Sequence, residues 1–132
     1  MSKPVETNVP RWVTIYLWIT VAMAAAFSLL AYVKPDAQFS SWPALSAAGA
    51  LSLAGPLGVY IARNLATAVA IAVALGTRQL AAVQVAVVLR LVTDGLDAVH
   101  NAAAGNFPGA GFAAVMAGIE LLALRAVRKA AA

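Results

Sequence analysis

Six ionisable side chains lie within apolar stretches of this chain: Arg63, Arg90, Asp94, Asp97, His100 and Glu120. On insertion scales a charged group near the centre of a membrane helix costs about 2.5–3.5 kcal/mol, so Arg63, Arg90, Asp94 and Asp97 together would cost on the order of 10 kcal/mol if unpaired. They must therefore pair, line a water-filled cavity, or both. At about 100° per residue, Arg90, Asp94, Asp97 and Asn101 fall within about 60° of one another on one helix face, with Gln79 on the same stripe and Thr93 and His100 beside it. Tyr60, Arg63 and Thr67 make a second stripe, flanked by Asn64. Counting rise from one membrane face, Arg63 and Asp94 reach similar depths of about 20 and 22 Å, while Arg90 at about 16 Å lies within reach of Glu120 at about 10 Å. Two arginines thus face two aspartates, with Glu120 left over. Arg63 should pair with Asp94 or Asp97, and Arg90 with Asp94 or Glu120. A carboxyl without a partner in a low-dielectric site keeps its proton and becomes the natural general acid. Proton transfer would then fall to Asp94, Asp97 or His100, and ligand binding to Tyr60, Arg63, Asn64, Arg90, Asn101 and Glu120.

Each residue also has a purely structural role open to it. The charges could form an ion network that fixes helix register, and His100 could sit at the membrane boundary. Glu120 could pair with Arg90 or reach toward the membrane face. Tyr60 could be packing, and Asn64 and Asn101 could hydrogen-bond between helices. Asp94, Asp97 and His100 recur at three-residue steps, as metal ligands on one helix might. However, Asp94 and His100 differ by about 9 Å in rise, too far to share one ion on a straight helix, and two nearby arginines would repel a cation. With no cysteine, thiolate and iron–sulfur chemistry are excluded. No metal or cofactor is expected.

These groups need helices to position them, and composition says the helices belong in a membrane. Of 132 residues, 63% are hydrophobic and 11% charged, with a mean hydropathy of +0.86; soluble domains carry about a quarter charged residues. A hydrocarbon core needs about 20 apolar residues per helix, and four runs qualify, at about 13–33, 57–75, 79–104 and 110–127. Gly76-Thr77-Arg78 and Gly105-Asn106-Phe107-Pro108-Gly109 read as short turns, making successive helices antiparallel neighbours. One side then holds Lys3, Arg11, Arg78, Arg125, Arg128 and Lys129, and the other only Lys34. By the positive-inside rule both termini are cytoplasmic, with Trp12 at one interface and Tyr32 and Trp42 at the other. The basic excess serves orientation and lipid headgroups rather than nucleic acid.

The segment at 43–55 is apolar, yet its Ala44–Ala54 stretch is only about 16 Å long as a helix. It reads as a short helix on the outer leaflet, separated from the second span by Pro56. The first run is too long for the apolar core of a secretion signal, and Ala24-Ala25-Ala26 lies inside it, so it reads as a retained span. Ala110, Ala114 and Gly118 form a small-xxx-small stripe suited to close helix packing, within the bundle or against a second copy or a membrane partner.

The stretch Arg63-Asn64-Leu65, then Gly76-Thr77-Arg78, then Arg90 and Asp94-Gly95 resembles small bacterial four-helix membrane proteins related to DoxX, many of them domains of unknown function. The resemblance covers roughly residues 57–105. It implies a four-helix bundle in a bacterial inner membrane, adds emphasis to Arg63 and Asp94, and supplies no activity. Other four-helix families fit less well. Small multidrug exporters carry a carboxylate in the first span, where this chain has none. Vitamin K epoxide reductase-like enzymes need cysteines. CDP-alcohol phosphotransferases follow Asp-Gly with an arginine and further spaced aspartates, whereas Asp94-Gly95 continues Leu96-Asp97-Ala98-Val99. Sterol-isomerase-like bundles use more histidines and acids.

The expected molecule is all-α, an integral membrane four-helix bundle with a short outer-leaflet helix between spans one and two. Its polar pocket would bind a lipid-like or amphipathic small molecule, with acid–base isomerisation or cyclisation as the reaction if it is an enzyme. A non-catalytic structural or accessory subunit is the alternative. A proton-coupled transporter working as a dimer is the third reading.

Overall fold

The computed structural model describes residues 9–34 and 56–132. The segment expected at 43–55 lies outside them, as do Lys3 and Trp42. The described residues form four helices: α1 (Arg11–Val33), α2 (Pro56–Thr77), α3 (Leu80–Ala103) and α4 (Phe107–Ala131). Local sequence explains their limits. Pro10, Pro56 and Pro108 all sit at helix starts, where a missing N–H costs nothing. Arg78 takes a left-handed φ of 54° and turns the chain sharply between α2 and α3.

The second turn is tighter than its composition suggests. Phe107, Pro108 and Gly109 already belong to α4, because the Asn106 side chain accepts a hydrogen bond from the Gly109 N–H at 3.2 Å and caps the helix. Gly105, at φ 76°, supplies the reversal. Gly109 has no room for a side chain: a Cβ there would lie 2.5 Å from Asn106 Nδ2 and 2.7 Å from Asn101 Oδ1.

Three helices are long and apolar enough to cross a membrane: α1, α2 from Leu57, and α4. All four runs expected as spans form helices, and α3, the remaining one, is of comparable length and carries charge. α3 has 24 residues, about 36 Å of rise, but holds Arg90, Asp94 and Asp97. All four helices present large apolar side chains outward, among them Ile15, Leu29, Val69, Val85, Leu96, Val99 and Val115. In water so extensive a coat would be an aggregation surface; it suits lipid contact.

One end of the bundle, here termed basal, gathers the start of α1, the end of α2, the start of α3 and the end of α4. Its apolar core consists of Val13 and Leu17 from α1, Ile71 and Ala74 from α2, Leu80, Val83, Ala86 and Val87 from α3, and Ala123, Leu124 and Val127 from α4. The most extensive packing is between α3 and α4, followed by α1 with α2 and α2 with α3; of the four neighbouring pairs, α1 and α4 pack least. The helices therefore follow one another around the bundle, and the seam between the first and the last is loosest. The small-residue stripe does not close it. Ala110 is half-buried, Ala114 and Gly118 are exposed, and α4 buries Ala113, Glu120, Ala123, Leu124 and Val127 instead. The expected use of the stripe within the bundle is corrected accordingly.

Candidate functional site

Above the apolar core, toward the distal end, lies a layer of buried polar groups. Glu120 is completely buried. Its Oε1 accepts two hydrogen bonds, from the Tyr16 hydroxyl at 3.1 Å and from Arg90 Nε at 3.3 Å. Arg90 Nη2 donates to Asp94 Oδ2 at 2.5 Å. One guanidinium thus serves two carboxyls, one from its own helix four residues on and one from α4. The (i, i+4) spacing places Arg90 and Asp94 on one face of α3, and the tight α3–α4 packing brings Glu120 to them. Glu120 Oε2 is the one buried side-chain polar atom among the described residues that has no hydrogen-bond partner.

A second pair lies nearer the distal end. Arg63 donates to both oxygens of Asp97, at 3.0 and 2.9 Å, and its guanidinium stands 6.0 Å from the centroid of the Tyr60 ring. Bidentate geometry makes this the better aligned pair, yet its side chains are 43% and 30% exposed. Of the expected pairings, Arg63 takes Asp97 and Arg90 takes both Asp94 and Glu120. Glu120 is therefore bound into the network rather than left over.

Between these layers lies a half-open cavity of about 300 Å³. Its two walls differ in chemistry. Thr20, Met23, Ala24 and Phe27 of α1 face Phe112, Ala113 and Met116 of α4 on the apolar side. Tyr60 and Asn64 of α2 join Arg90, Asp94, Asp97 and Asn101 of α3 on the polar side. Gly109 closes the distal end beside Asn101, whose Oδ1 accepts a hydrogen bond from Asn106 at 2.8 Å and whose amide donates to the Asp97 carbonyl at 2.7 Å.

Of the residues singled out in the sequence, Tyr60, Asn64, Arg90, Asp94, Asp97 and Asn101 line this cavity. Glu120 lies below it, behind Arg90, and Arg63 stands behind Asp97; neither is a lining residue. His100 is exposed and likewise not part of the lining. Thr93 turns its hydroxyl to the Leu89 carbonyl at 2.8 Å, and Gln79 is exposed at the start of α3.

Sequence reasoning missed the contribution of α1. Tyr16, Thr20 and Ser28 fall on one face with Ala24, at four-residue spacing in an otherwise uniformly apolar run, and that pattern was a readable signal. Thr20 and Ser28 are buried and donate to the carbonyls of Tyr16 and Ala24, so only the Tyr16 hydroxyl reaches across to another helix. The Met and Phe wall carried no signal, because such residues are ordinary in any span. Comparison of the chain with protein-family models, curated proteins and solved structures finds no match, so the site's meaning rests on its own geometry.

Proposed function

We propose that this chain is a multi-pass membrane protein whose distal cavity binds an amphipathic small molecule taken up from the lipid phase. The observation that carries this reading is the two-walled cavity: methionine and phenylalanine on one side, amide, guanidinium and carboxyl on the other, with the loosely packed seam between α1 and α4 running through the apolar wall. Ligand sites are typically apolar clefts with a few placed polar groups, and a seam between α1 and α4 offers sideways access from the membrane. In this reading α3 is the fourth span, its charges turned toward the cavity and its partner helices. The basal end carries Arg11, Arg78, Arg125, Arg128 and Lys129 against Lys34 at the distal end, which supports cytoplasmic termini and a cavity in the outer half of the cell membrane.

The test is native mass spectrometry of the protein in mild detergent, wild type beside Ala113→Phe. Ala113 is buried in the cavity wall, so a phenyl ring there fills the space. A discrete small molecule carried by the wild type and lost from a folded Ala113→Phe variant is the expected result. Identical, ligand-free spectra for both would refute the reading.

A structural or accessory subunit is the second reading, favoured by one observation: the arginines of α2 and α3, Arg63 and Arg90, are already paired with carboxyls. A network that only fixes register is dispensable as a unit. Replacing Arg63 and Asp97 together by leucines would then leave every property of the protein unchanged, retained ligand included.

A further inference from the structure

We infer that the cavity selects cationic amphiphiles, lipid-soluble amines above all, and that each one bound displaces a proton shared by Asp94 and Glu120. This rests on the cavity being a ligand site and assigns the class of ligand it takes.

The charge count comes first. The network holds two guanidiniums and three carboxyls, and Arg63 with Asp97 is self-balanced by its bidentate pairing. The remaining unit is Arg90 with Asp94 and Glu120, which carries one negative charge in excess if both acids are ionised. Burial of an unbalanced charge is expensive, so the empty site is balanced by one proton on the acid pair. The unpartnered Glu120 Oε2 points the same way. A buried carboxylate oxygen without a donor is costly, whereas a proton shared between the two acids gives it a hydrogen bond.

The groups around this pair leave the proton as the exchangeable charge. From α1, Tyr16 already donates to Glu120. From α3, Arg90 is engaged by both acids and Asp97 is held by Arg63 of α2. Tyr60, the other titratable group from α2, lies at the distal pair. An anionic ligand would have to draw Arg90 away from two buried acids. An ammonium group beside Asp94 instead takes over the balancing role, and the proton leaves: protonated pair plus cation gives ionised pair with bound cation plus one proton. Phe27 and Phe112 in the wall supply aromatic surface for the apolar body, and aromatic rings attract a cation.

The experiment uses the whole chain in nanodiscs of phosphatidylcholine, a lipid without net charge, titrated calorimetrically at neutral pH with three probes of one shape. These are 4-phenylbutylamine, 4-phenylbutanol and 4-phenylbutyrate, with empty nanodiscs as the blank. The ammonium is expected to bind at least about tenfold more tightly than the alcohol, with the carboxylate weakest. Repeating the titration in buffers of different protonation enthalpy should reveal about one proton released per ammonium bound. Asp94→Asn and Glu120→Gln, each checked for folding by circular dichroism, should each bring the ammonium down to the affinity of the alcohol and abolish proton release; one folded variant suffices. Equal binding of ammonium and alcohol, or ammonium binding without proton release, would overturn the inference and leave the binding site standing. No binding by any probe, with Ala113→Phe indistinguishable from wild type, would overturn both.

Discussion

The basal and distal halves of this bundle are built from the same four helices by different physics. The basal half is a closed apolar core in which Leu17, Ile71, Val83, Val87 and Val127 are fully buried. The distal half is held by charge: Arg90 between two acids, Arg63 on Asp97, and a hydrogen-bonded cap of Asn101, Asn106 and Gly109. Apolar side chains pack in many equivalent ways until the space is full. Directional pairs hold helices at fixed separations and tolerate a gap beside them. That difference explains why this cavity lies in the distal half, and why α1, which reaches the polar network through the Tyr16 hydroxyl alone, packs loosely on α4.

The comparison can be broken most forcefully at its boundary. Arg90→Leu would leave Asp94 and Glu120 buried without their counter-charge, and should cost about 3–5 kcal/mol in denaturant unfolding followed by circular dichroism in detergent. Replacing Arg90, Asp94 and Glu120 together with leucines should return stability to within about 1 kcal/mol of wild type while abolishing ligand retention. A triple variant as unstable as the single one would show that the layer contributes more than charge balance.

Next in size is the apolar half. Leu17→Ala removes a fully buried side chain and should cost about 2–4 kcal/mol in the same unfolding measurement. Ligand retained in native mass spectra should not change, because Leu17 is outside the cavity lining. If retention fell with stability, the two halves would be one cooperative unit with respect to binding.

Smaller effects sharpen the distal half. Gly109→Ala forces a methyl group against Asn101 and Asn106 and should cost about 1–3 kcal/mol, with the cavity's distal end disturbed. Asp97→Asn should be mildest in stability, under about 1 kcal/mol, because its pair with Arg63 is partly exposed and lies within about two turns of the helix ends, where arginine reaches water. Retained ligand should nonetheless drop, since Asp97 lines the cavity. A ligand-neutral Asp97→Asn would confine recognition to the Arg90 layer.

Much of this was legible in the residues. Helix count and approximate limits followed from apolar runs broken by glycine and proline, and the charges advertised themselves by their cost in such runs. The turn at Asn106 was harder to read: Phe107-Pro108-Gly109 looks like loop chemistry, and only the side-chain cap from Asn106 to the Gly109 N–H converts it into the first turn of a helix. Helical rise put Arg63 level with Asp94, yet Arg63 lies on Asp97 while Asp94 is taken by Arg90 on its own helix. A periodicity argument fixes angle and height along one axis and is silent on the distance between axes.

What the sequence by itself determined is the one-dimensional part: an all-helical chain of membrane-like composition, the stripe of Arg90, Asp94, Asp97 and Asn101 on one helix face, and the need for carboxyls and guanidiniums to find each other. Those follow from local geometry and from the cost of burying charge. Only the tertiary structure decided which partners met, that Tyr16 on an uncharged helix completes the deepest layer, that Glu120 is sealed beneath the cavity, and that methionine and phenylalanine from two helices face the polar stripe. Those depend on how closely and at what height four helices pack. That packing is set by the sum of all their side chains, and no single spacing contains it.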